Sequence, residues 1–377
     1  MLQKKSLLIC SIITIIAMSS CNTLNSNIEN ATIQLDSLFL TMYTNSTPGA
    51  TVMILKGNDV IYHNSYGIAD KEKSTEIDEN TFFNIASVSK QFSAVALLKL
   101  AQEGKLSLDD SVKKYFPHFK ANFFDKITLR HLLSHSSGIP DARPRTDRNF
   151  VLYATDTASY SYMEDLKELL FEPGSNYQYM NPTYQLMYTI IEKCSGKSFD
   201  EYMRSEIFEP AGMTESTYFE ADKYIPQMAH GYLQDQNGVW NEYDYGEETF
   251  FATKADGGLY TSTTEFAKWE NALKNNLIIS SESLNLAYTP HITISDSPYS
   301  PYQNRPYTSY GYGWFIEERP DWPKKVYHTG DNGGFQIYAG KFPTKDITVL
   351  IFENRNDLDR WGTVTKIDEI LKKNNLL

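Results

Sequence analysis

Ser87-Val88-Ser89-Lys90 places a hydroxyl nucleophile and an amine at a spacing that suits nucleophilic catalysis. Residues three apart share a face of a helix, so the Lys90 amine can reach the Ser87 hydroxyl. Serine is a weak nucleophile without a base, and a lysine acts as a base only where burial or a nearby cation lowers its pKa. The apolar stretch after Lys90 predicts that burial. The pair alone is weak evidence, because the same spacing recurs at Ser111 and Lys114.

A second group of polar residues follows Glu172-Pro173-Gly174, at Tyr179-Met180-Asn181. A tyrosine beside an ammonium can relay a proton, and an asparagine amide can orient both a lysine and a substrate carbonyl. Tyr-x-Asn also occurs at Tyr43, Tyr62 and Tyr302. The spacing therefore indicates chemistry only in combination with other motifs.

The third motif, His328-Thr329-Gly330, lies in a strand pattern and is the only His/Lys-Thr/Ser-Gly tripeptide of the chain. A strand edge offers backbone groups to an extended substrate, and a glycine allows close approach of the two chains. A histidine with a purely structural role on an edge strand would give the same pattern.

The order of the three motifs resembles that of the penicillin-recognising serine enzymes, in the branch of class C β-lactamases and D-alanyl-D-alanine carboxypeptidases that also holds esterases. The resemblance spans residues 32–373. Four further segments match it: Phe83-Asn84-Ile85-Ala86, Leu132-Leu133-Ser134-His135-Ser136-Ser137-Gly138, Pro210-Ala211-Gly212-Met213 and Gly257-Gly258-Leu259-Tyr260-Thr261-Ser262.

The resemblance implies a role for each matching position. Ser87 would be acylated, Lys90 would help to take its proton, and Tyr179 would pass that proton to the leaving group and later serve as the base of deacylation. Asn181 would orient the bound amide, and the backbone N–H groups of Ser87 and Asp331 would form the oxyanion hole. The main acylation base is then either Lys90 or Tyr179.

The third motif departs from that of class C β-lactamases, which have a lysine where this chain has His328. A lysine is a permanent cation for a substrate carboxylate, whereas a histidine is mostly neutral at pH 7. Asp331 would weaken carboxylate binding further if its side chain faced the cleft. With Asn181, Thr329 and Gly330 completing the substrate-binding set, we expect a peptidase or an esterase rather than a dedicated β-lactamase.

The N-terminus reads as a targeting segment. Lys4 and Lys5 precede an apolar run from Leu7 to Met18, which is short for a membrane span and suits a signal peptide. The run ends in small residues before Cys21, as in a bacterial lipobox. We expect a lipoprotein signal peptide at 1–20, lipidation of Cys21, a flexible tether at 21–31, and a location on the periplasmic or extracellular side of the bacterial cell envelope.

Composition limits the remaining possibilities. The chain has 377 residues and a formal charge of −12, which argues against a nucleic-acid partner. Cys10 would leave with the signal peptide and Cys21 would carry lipid, so Cys194 has no disulfide partner and is predicted to be a core residue. His131 and His135 have metal-ligand spacing without a further ligand, so neither a metal nor a cofactor is expected.

The pattern of elements predicts an α+β fold with an antiparallel sheet flanked by helices and a large inserted all-helical region at about 91–255. A helix is expected at 30–46 and a hairpin at Ala50–Leu55 and Val60–Tyr66. The other predicted elements are helices at Phe92–Leu100, from Thr128 to near Gly138, Tyr184–Cys194, Phe199–Phe208 and 361–373, and strands at Tyr310–Glu317, Lys325–Thr329, Phe335–Phe342 and Ile347–Glu353.

Together these features predict a serine hydrolase that forms an acyl-enzyme with an amide or an ester. Its substrate is expected to be a D-amino-acid peptide such as a peptidoglycan stem, a β-lactam or a small ester. The alternative is a catalytically silent or non-turnover penicillin-binding lipoprotein that keeps the fold.

Overall fold

The computed structural model describes residues 23–144, 146–220, 224–243 and 252–377. The predicted signal peptide at 1–20 and the predicted lipidation site Cys21 lie outside these residues. Contacts between Cα atoms divide the chain into two units. The smaller unit is Met1–Thr44 together with Asp359–Leu377, and the larger unit is Asn45–Leu358.

Fifteen strands lie within the described part of the larger unit. They are β1 (Ala50–Lys56), β2 (Asp59–Tyr66), β3 (Ile68–Asp70), β4 (Thr75–Glu76), β5 (Phe83–Asn84), β6 (Thr217–Tyr218), β7 (Tyr232–Gln234), β8 (Trp240–Glu242), β9 (Leu259–Thr261), β10 (Ile292–Thr293), β11 (Thr308–Tyr310), β12 (Phe315–Glu317), β13 (Lys325–Asn332), β14 (Phe335–Phe342) and β15 (Ile347–Glu353). Eight of them form an antiparallel sheet of order β10-β11-β12-β13-β14-β15-β1-β2, and β5, β9 and β6 form a small second sheet.

The helices, including several short ones, complete the α+β fold. They are α1 (23–39), α2 (Lys90–Gln102), α3 (Val112–Tyr115), α4 (Leu129–Leu133), α5 (Arg148–Tyr153), α6 (Tyr160–Glu164), α7 (Asn181–Ser195), α8 (Phe199–Tyr202), α9 (Glu209–Ala211), α10 (Thr263–Lys274), α11 (Ser281–Ala287) and α12 (Arg360–Lys373). The predicted insert at about 91–255 carries α2 to α9, and the short strands β6, β7 and β8 also lie within it.

Three predicted elements of the larger unit differ from the structure. The strand predicted at Tyr310–Glu317 is two strands, β11 and β12, because Gly313 has a φ of 86° and the chain turns back so that Tyr310 pairs with Phe315. The helix predicted at Phe199–Phe208 begins as α8 and continues as a π-helical segment, Met203–Phe208. The helix that Thr128 caps ends at Leu133 rather than near Gly138.

Helix α1 covers residues 23–39 and so includes most of the stretch at 21–31 for which a flexible tether is expected. Ala31, Leu35 and Phe39 recur every four residues on this helix, and each is at most 1% exposed. The apolar stripe accounts for the helical conformation at its C-terminal end. Its earlier part is polar, which is why the sequence pattern alone favours a tether there.

The core of the larger unit surrounds α2. Ten of its thirteen residues are buried, as the apolar sequence predicts for a helix enclosed on all sides. Phe92 stacks on Trp269 with ring centroids 4.2 Å apart. Cys194, predicted to be a core residue, is partly buried and packs against this core. The first residue of α2 is Lys90, so the same packing encloses the lysine of the first motif.

Candidate active site

Ser87 lies in a single 3-10 turn, Ala86–Ser89, which leads directly into α2. The Lys90 ammonium donates a hydrogen bond of 3.1 Å to the Ser87 hydroxyl oxygen. In its neutral form the amine presents its lone pair to that same hydroxyl. The predicted reach of Lys90 to Ser87 is therefore realised, with the nucleophile partly exposed and the amine fully buried.

Burial is the main cause of an unusual acidity at Lys90. Burial lowers the pKa of the amine, the nearby Asp256 raises it and the Arg143 guanidinium lowers it, with a net pKa of about 8. The ammonium also donates a hydrogen bond of 2.7 Å to the Asp256 carbonyl oxygen. Lys90 is thus held in place at one end of the Ser87 hydroxyl and is easily deprotonated.

Tyr179 adjoins both this amine and Ser87. Its ring centroid is 5.2 Å from Lys90 Nζ, and its hydroxyl is buried. Burial raises the pKa of Tyr179 well above its usual value, whereas the neighbouring Ser87 lowers it. The hydroxyl makes no hydrogen bond of good geometry to any residue that the structure describes, so it is available to a reacting group.

Asn181 is the first residue of α7, which places its amide at the end of the helix that faces the Tyr179 motif. Its Oδ1 atom is buried and has no hydrogen-bond partner within the described ranges. One turn further along α7, Gln185 donates from Nε2 to both carboxylate oxygens of Asp256, each at 3.3 Å. The helix thereby links the second motif to the residue that accepts from Lys90.

Strand β13 brings the third motif against the turn that carries Ser87. A Cβ atom on Gly330 would lie 2.3 Å from the Ile85 carbonyl oxygen and 3.0 Å from Ala86 Cβ, so only glycine allows this approach. Ala86 itself has a φ of 45°, an uncommon conformation for a residue with a side chain. Thr329 is partly exposed and Asp331 is exposed, and both are on the face opposite to Gly330.

His328 is buried and both of its ring nitrogens have partners. Nδ1 lies 2.7 Å from the Thr329 carbonyl oxygen, which can only accept, so Nδ1 carries the proton. Nε2 lies 3.0 Å from the Tyr310 hydroxyl and can accept from it in the neutral ring. His328 is therefore fixed by its neighbours, and this arrangement differs from a lysine that projects a free cation.

The structure thus brings Ser87, Lys90, Tyr179, Asn181 and the third motif to one place. It also adds residues that no motif indicated. Asp256 directly precedes Gly257-Gly258 in one of the matching segments, but nothing in its spacing shows that its carbonyl accepts from Lys90. Arg143 is held by Asp141 through two contacts of 2.8 Å and acts on Lys90 through its charge.

The described residues contain neither a membrane-spanning helix nor a cluster of metal ligands. No helix in these ranges is both long and apolar enough to cross a membrane. No group of three or more histidine, cysteine, aspartate or glutamate side chains there has the geometry of a metal site. His131 instead caps α4, where its Nδ1 accepts from the Thr128 backbone N–H at 3.1 Å.

Comparisons with known proteins show the family to which the chain belongs. The sequence model of the family described as Beta-lactamase matches residues 35–367. Penicillin-binding protein 4* of Bacillus subtilis is 28% identical over 346 residues, which cover 87% of this chain and 73% of that protein. Protein flp of Staphylococcus aureus is 28% identical over 82% of this chain, and the match spans 60% of its length.

Solved structures show the same fold. The octameric penicillin-binding protein homologue from Pyrococcus abyssi is 30% identical, with a TM-score of 0.76 over 87% of this chain and 73% of that one. D-amino acid amidase from Ochrobactrum anthropi is 23% identical, with a TM-score of 0.72 over 93% of this chain and 99% of that one. EstCE1, a hydrolase with promiscuous acyltransferase activity, is 18% identical, with a TM-score of 0.73 over 93% of this chain and 98% of that one.

Proposed function

Because the chain belongs to the Beta-lactamase family, we propose that it is a serine hydrolase that forms an acyl-enzyme through Ser87. The observation that carries the proposal is the contact of 3.1 Å between Lys90 Nζ and the Ser87 hydroxyl, together with the burial of that amine. A nucleophile with an adjacent, easily deprotonated base is the arrangement that acyl transfer requires.

We assign the main acylation base to Lys90. At pH 7, one unit below a pKa of about 8, roughly a tenth of the molecules carry the neutral amine. The Tyr179 phenol has a pKa well above its usual value, so its anion is much rarer at that pH. The Tyr179 phenol gives its own proton to the leaving group, and the phenolate that remains takes a proton from the attacking water in the second step. The proton that Lys90 took from Ser87 returns to the Ser87 oxygen when the acyl-enzyme is hydrolysed.

The substrate class follows from the third motif. His328 is buried and bonded at both nitrogens, so no free lysine ammonium is available there for a carboxylate, and the nearby Asp331 is an exposed carboxyl group. We propose an amide of a D-amino acid, a D-amino-acid peptide or a small ester as substrate, ahead of a β-lactam. Similar folds in a D-amino acid amidase and in EstCE1 support this range of acyl donors.

The experiment labels the purified protein with a fluorescent fluorophosphonate and a fluorescent penicillin. We expect the wild type to be labelled and Ser87→Ala to remain unlabelled. Hydrolysis of p-nitrophenyl butyrate, a D-Ala-D-Ala peptide and nitrocefin then compares the substrate classes. If neither probe labels the wild type, the proposal is wrong. Labelling without turnover of any of the three substrates supports the alternative, a non-turnover penicillin-binding protein.

A further inference from the structure

His135 has a backbone conformation that is rare for its residue type. Its φ is 56°, in the left-handed region, and it lies just beyond the end of α4. Its side chain is only 1% exposed. Left-handed residues after a helix are usually glycine or asparagine, which avoid strain there. A buried imidazole at such a position therefore indicates that the ring itself is needed.

Two hydrogen bonds connect this residue to the chain on both sides of Tyr179. The His135 carbonyl oxygen accepts from the Gln178 backbone N–H at 2.9 Å, and the imidazole Nδ1 accepts from the Met180 backbone N–H at 3.1 Å. A nitrogen that accepts from an amide carries no proton, so the neutral ring has its proton on Nε2. Both backbone neighbours of Tyr179 are thus held by one residue.

The imidazole also contacts the phenol directly. Its ring centroid is 4.3 Å from that of Tyr179, at an angle of 39°. Tyr184 and Tyr310 enclose the same imidazole at 4.9 and 4.8 Å. Lys90 lies 5.2 Å from the Tyr179 ring, so His135 and Lys90 both adjoin the phenol.

Burial and the charges around the imidazole keep it neutral. Burial lowers the pKa of His135 well below its usual value, and the nearby Lys90 and His328 lower it further. A protonated ring would lose the acceptor that Met180 uses. Its Nε2 is buried and has no hydrogen-bond partner in the part of the chain that the structure describes.

We propose that His135 is a positioning residue that holds the Tyr179 phenol within reach of Ser87. The inference rests on the proposed function, because it assigns to His135 the placement of a proton carrier. His131 provides a matched control: it lies one turn earlier, and its Nδ1 also accepts from a backbone N–H, that of Thr128, at 3.1 Å. His131 is half-buried and makes no contact with Tyr179 among the ring contacts of the described residues.

The test compares His135→Asn, which tolerates the left-handed conformation and removes the ring, with His135→Phe, which keeps a ring and removes the acceptor. We expect kcat to fall about 10- to 100-fold in both, since small misplacements of a catalytic group have effects of that size. KM should change less than about threefold, because the residue acts on the reacting group rather than on uniform binding. His131→Asn should keep kcat within about twofold at a similar melting temperature.

A double variant separates positioning from a general loss of stability. If His135 acts through Tyr179, then His135→Asn combined with Tyr179→Phe should be no slower than Tyr179→Phe alone, within about twofold. If the loss of kcat in the double variant equals the product of the two single losses, the inference is overturned. A normal kcat in both His135 variants would overturn it as well. If His135→Phe does not fold because of the left-handed backbone, the asparagine variant decides the matter. A wild type that neither probe labels refutes the proposed function, whereas an active wild type with unaffected His135 variants refutes only this inference.

Discussion

At the scale of single residues, the environment of Lys90 determines which chemistry Ser87 can perform. A lysine in water stays protonated well above neutral pH and cannot act as a base. Here burial lowers its pKa to about 8, although Asp256 opposes that change. The Lys90 amine donates to the backbone carbonyl of Asp256 and not to its carboxylate. This hydrogen bond holds the amine beside the Ser87 hydroxyl.

This acidity leads to a testable pH dependence. If neutral Lys90 is the acylation base, kcat/KM should rise with pH and level off above about 8, because the amine is protonated below its pKa. Below pH 7 the rate should fall about tenfold per pH unit. Measurement of kcat/KM for p-nitrophenyl butyrate from pH 5 to 10 checks the prediction.

Tyr179→Phe is the control for that profile, since it removes the rival base and leaves the Lys90 amine. The variant should keep the same acidic limb for the rate of acylation, measured by probe labelling, while its turnover falls. An acidic limb that disappears with the phenol would instead assign acylation to Tyr179.

At the scale of elements, β13 packs closely against the turn that carries Ser87. Gly330 has no side chain, and the Ile85 carbonyl occupies the space that a Cβ atom would need, at 2.3 Å. This backbone carbonyl cannot move aside as a flexible side chain could. The position of Asp331, the predicted second oxyanion donor, depends on this contact because it is the next residue of the strand.

Gly330→Ala should therefore move β13 away from the turn. We expect kcat/KM to fall at least about 100-fold, since a shift near 1 Å in a catalytic constellation has an effect of that order. Gly257→Ala is the control: a Cβ atom there meets nothing closer than 4.0 Å, the Ala86 carbonyl carbon, and its φ is not in the left-handed region. Its kcat/KM and melting temperature should match the wild type. Equal losses in both variants would contradict the role assigned to Gly330.

Sequence patterns predicted these elements unequally. Strands β14 and β15 have the predicted bounds, because alternating and apolar residues continue to clear turn signals at both ends. The division into β11 and β12 was missed, although Gly313 is a local turn residue with a φ of 86°. This turn also packs closely against α2, where a Cβ atom on Gly313 would lie 2.9 Å from Ala94 Cβ. A contact over such a separation leaves no local sequence pattern.

At the scale of the whole molecule, the negatively charged chain combines a domain of the Beta-lactamase family with a sequence that resembles a lipoprotein signal. We propose that Cys21 carries a lipid and holds the protein on the periplasmic or extracellular side of the bacterial cell envelope. Support for the proposal comes from the basic start, the apolar run and the small residues before Cys21. The enzyme would then meet substrates of the cell envelope.

Cys21→Ser should abolish this attachment. In a bacterial host, we expect the wild type in the membrane fraction until detergent is added. The variant lacks the lipid, so it should either be absent from the membrane fraction or retain its uncleaved signal peptide. Cys194→Ser is the control, because Cys194 is a partly buried residue with a raised pKa rather than an anchor. Fractionation followed by mass spectrometry of the N-terminal peptide measures both. An unmodified Cys21 in the membrane-bound wild type would contradict the proposal.

The sequence by itself determined the identity of the three motifs, their order and the α+β class, because each is encoded within a few neighbouring residues. Only the tertiary structure decided how these residues act together. Three features depend on contacts between distant segments: the acidity of Lys90, the fixed orientation of His328, and the two hydrogen bonds that His135 accepts from the neighbours of Tyr179. Burial and hydrogen-bond geometry arise from packing in three dimensions, and for that reason no local spacing of residue types revealed them.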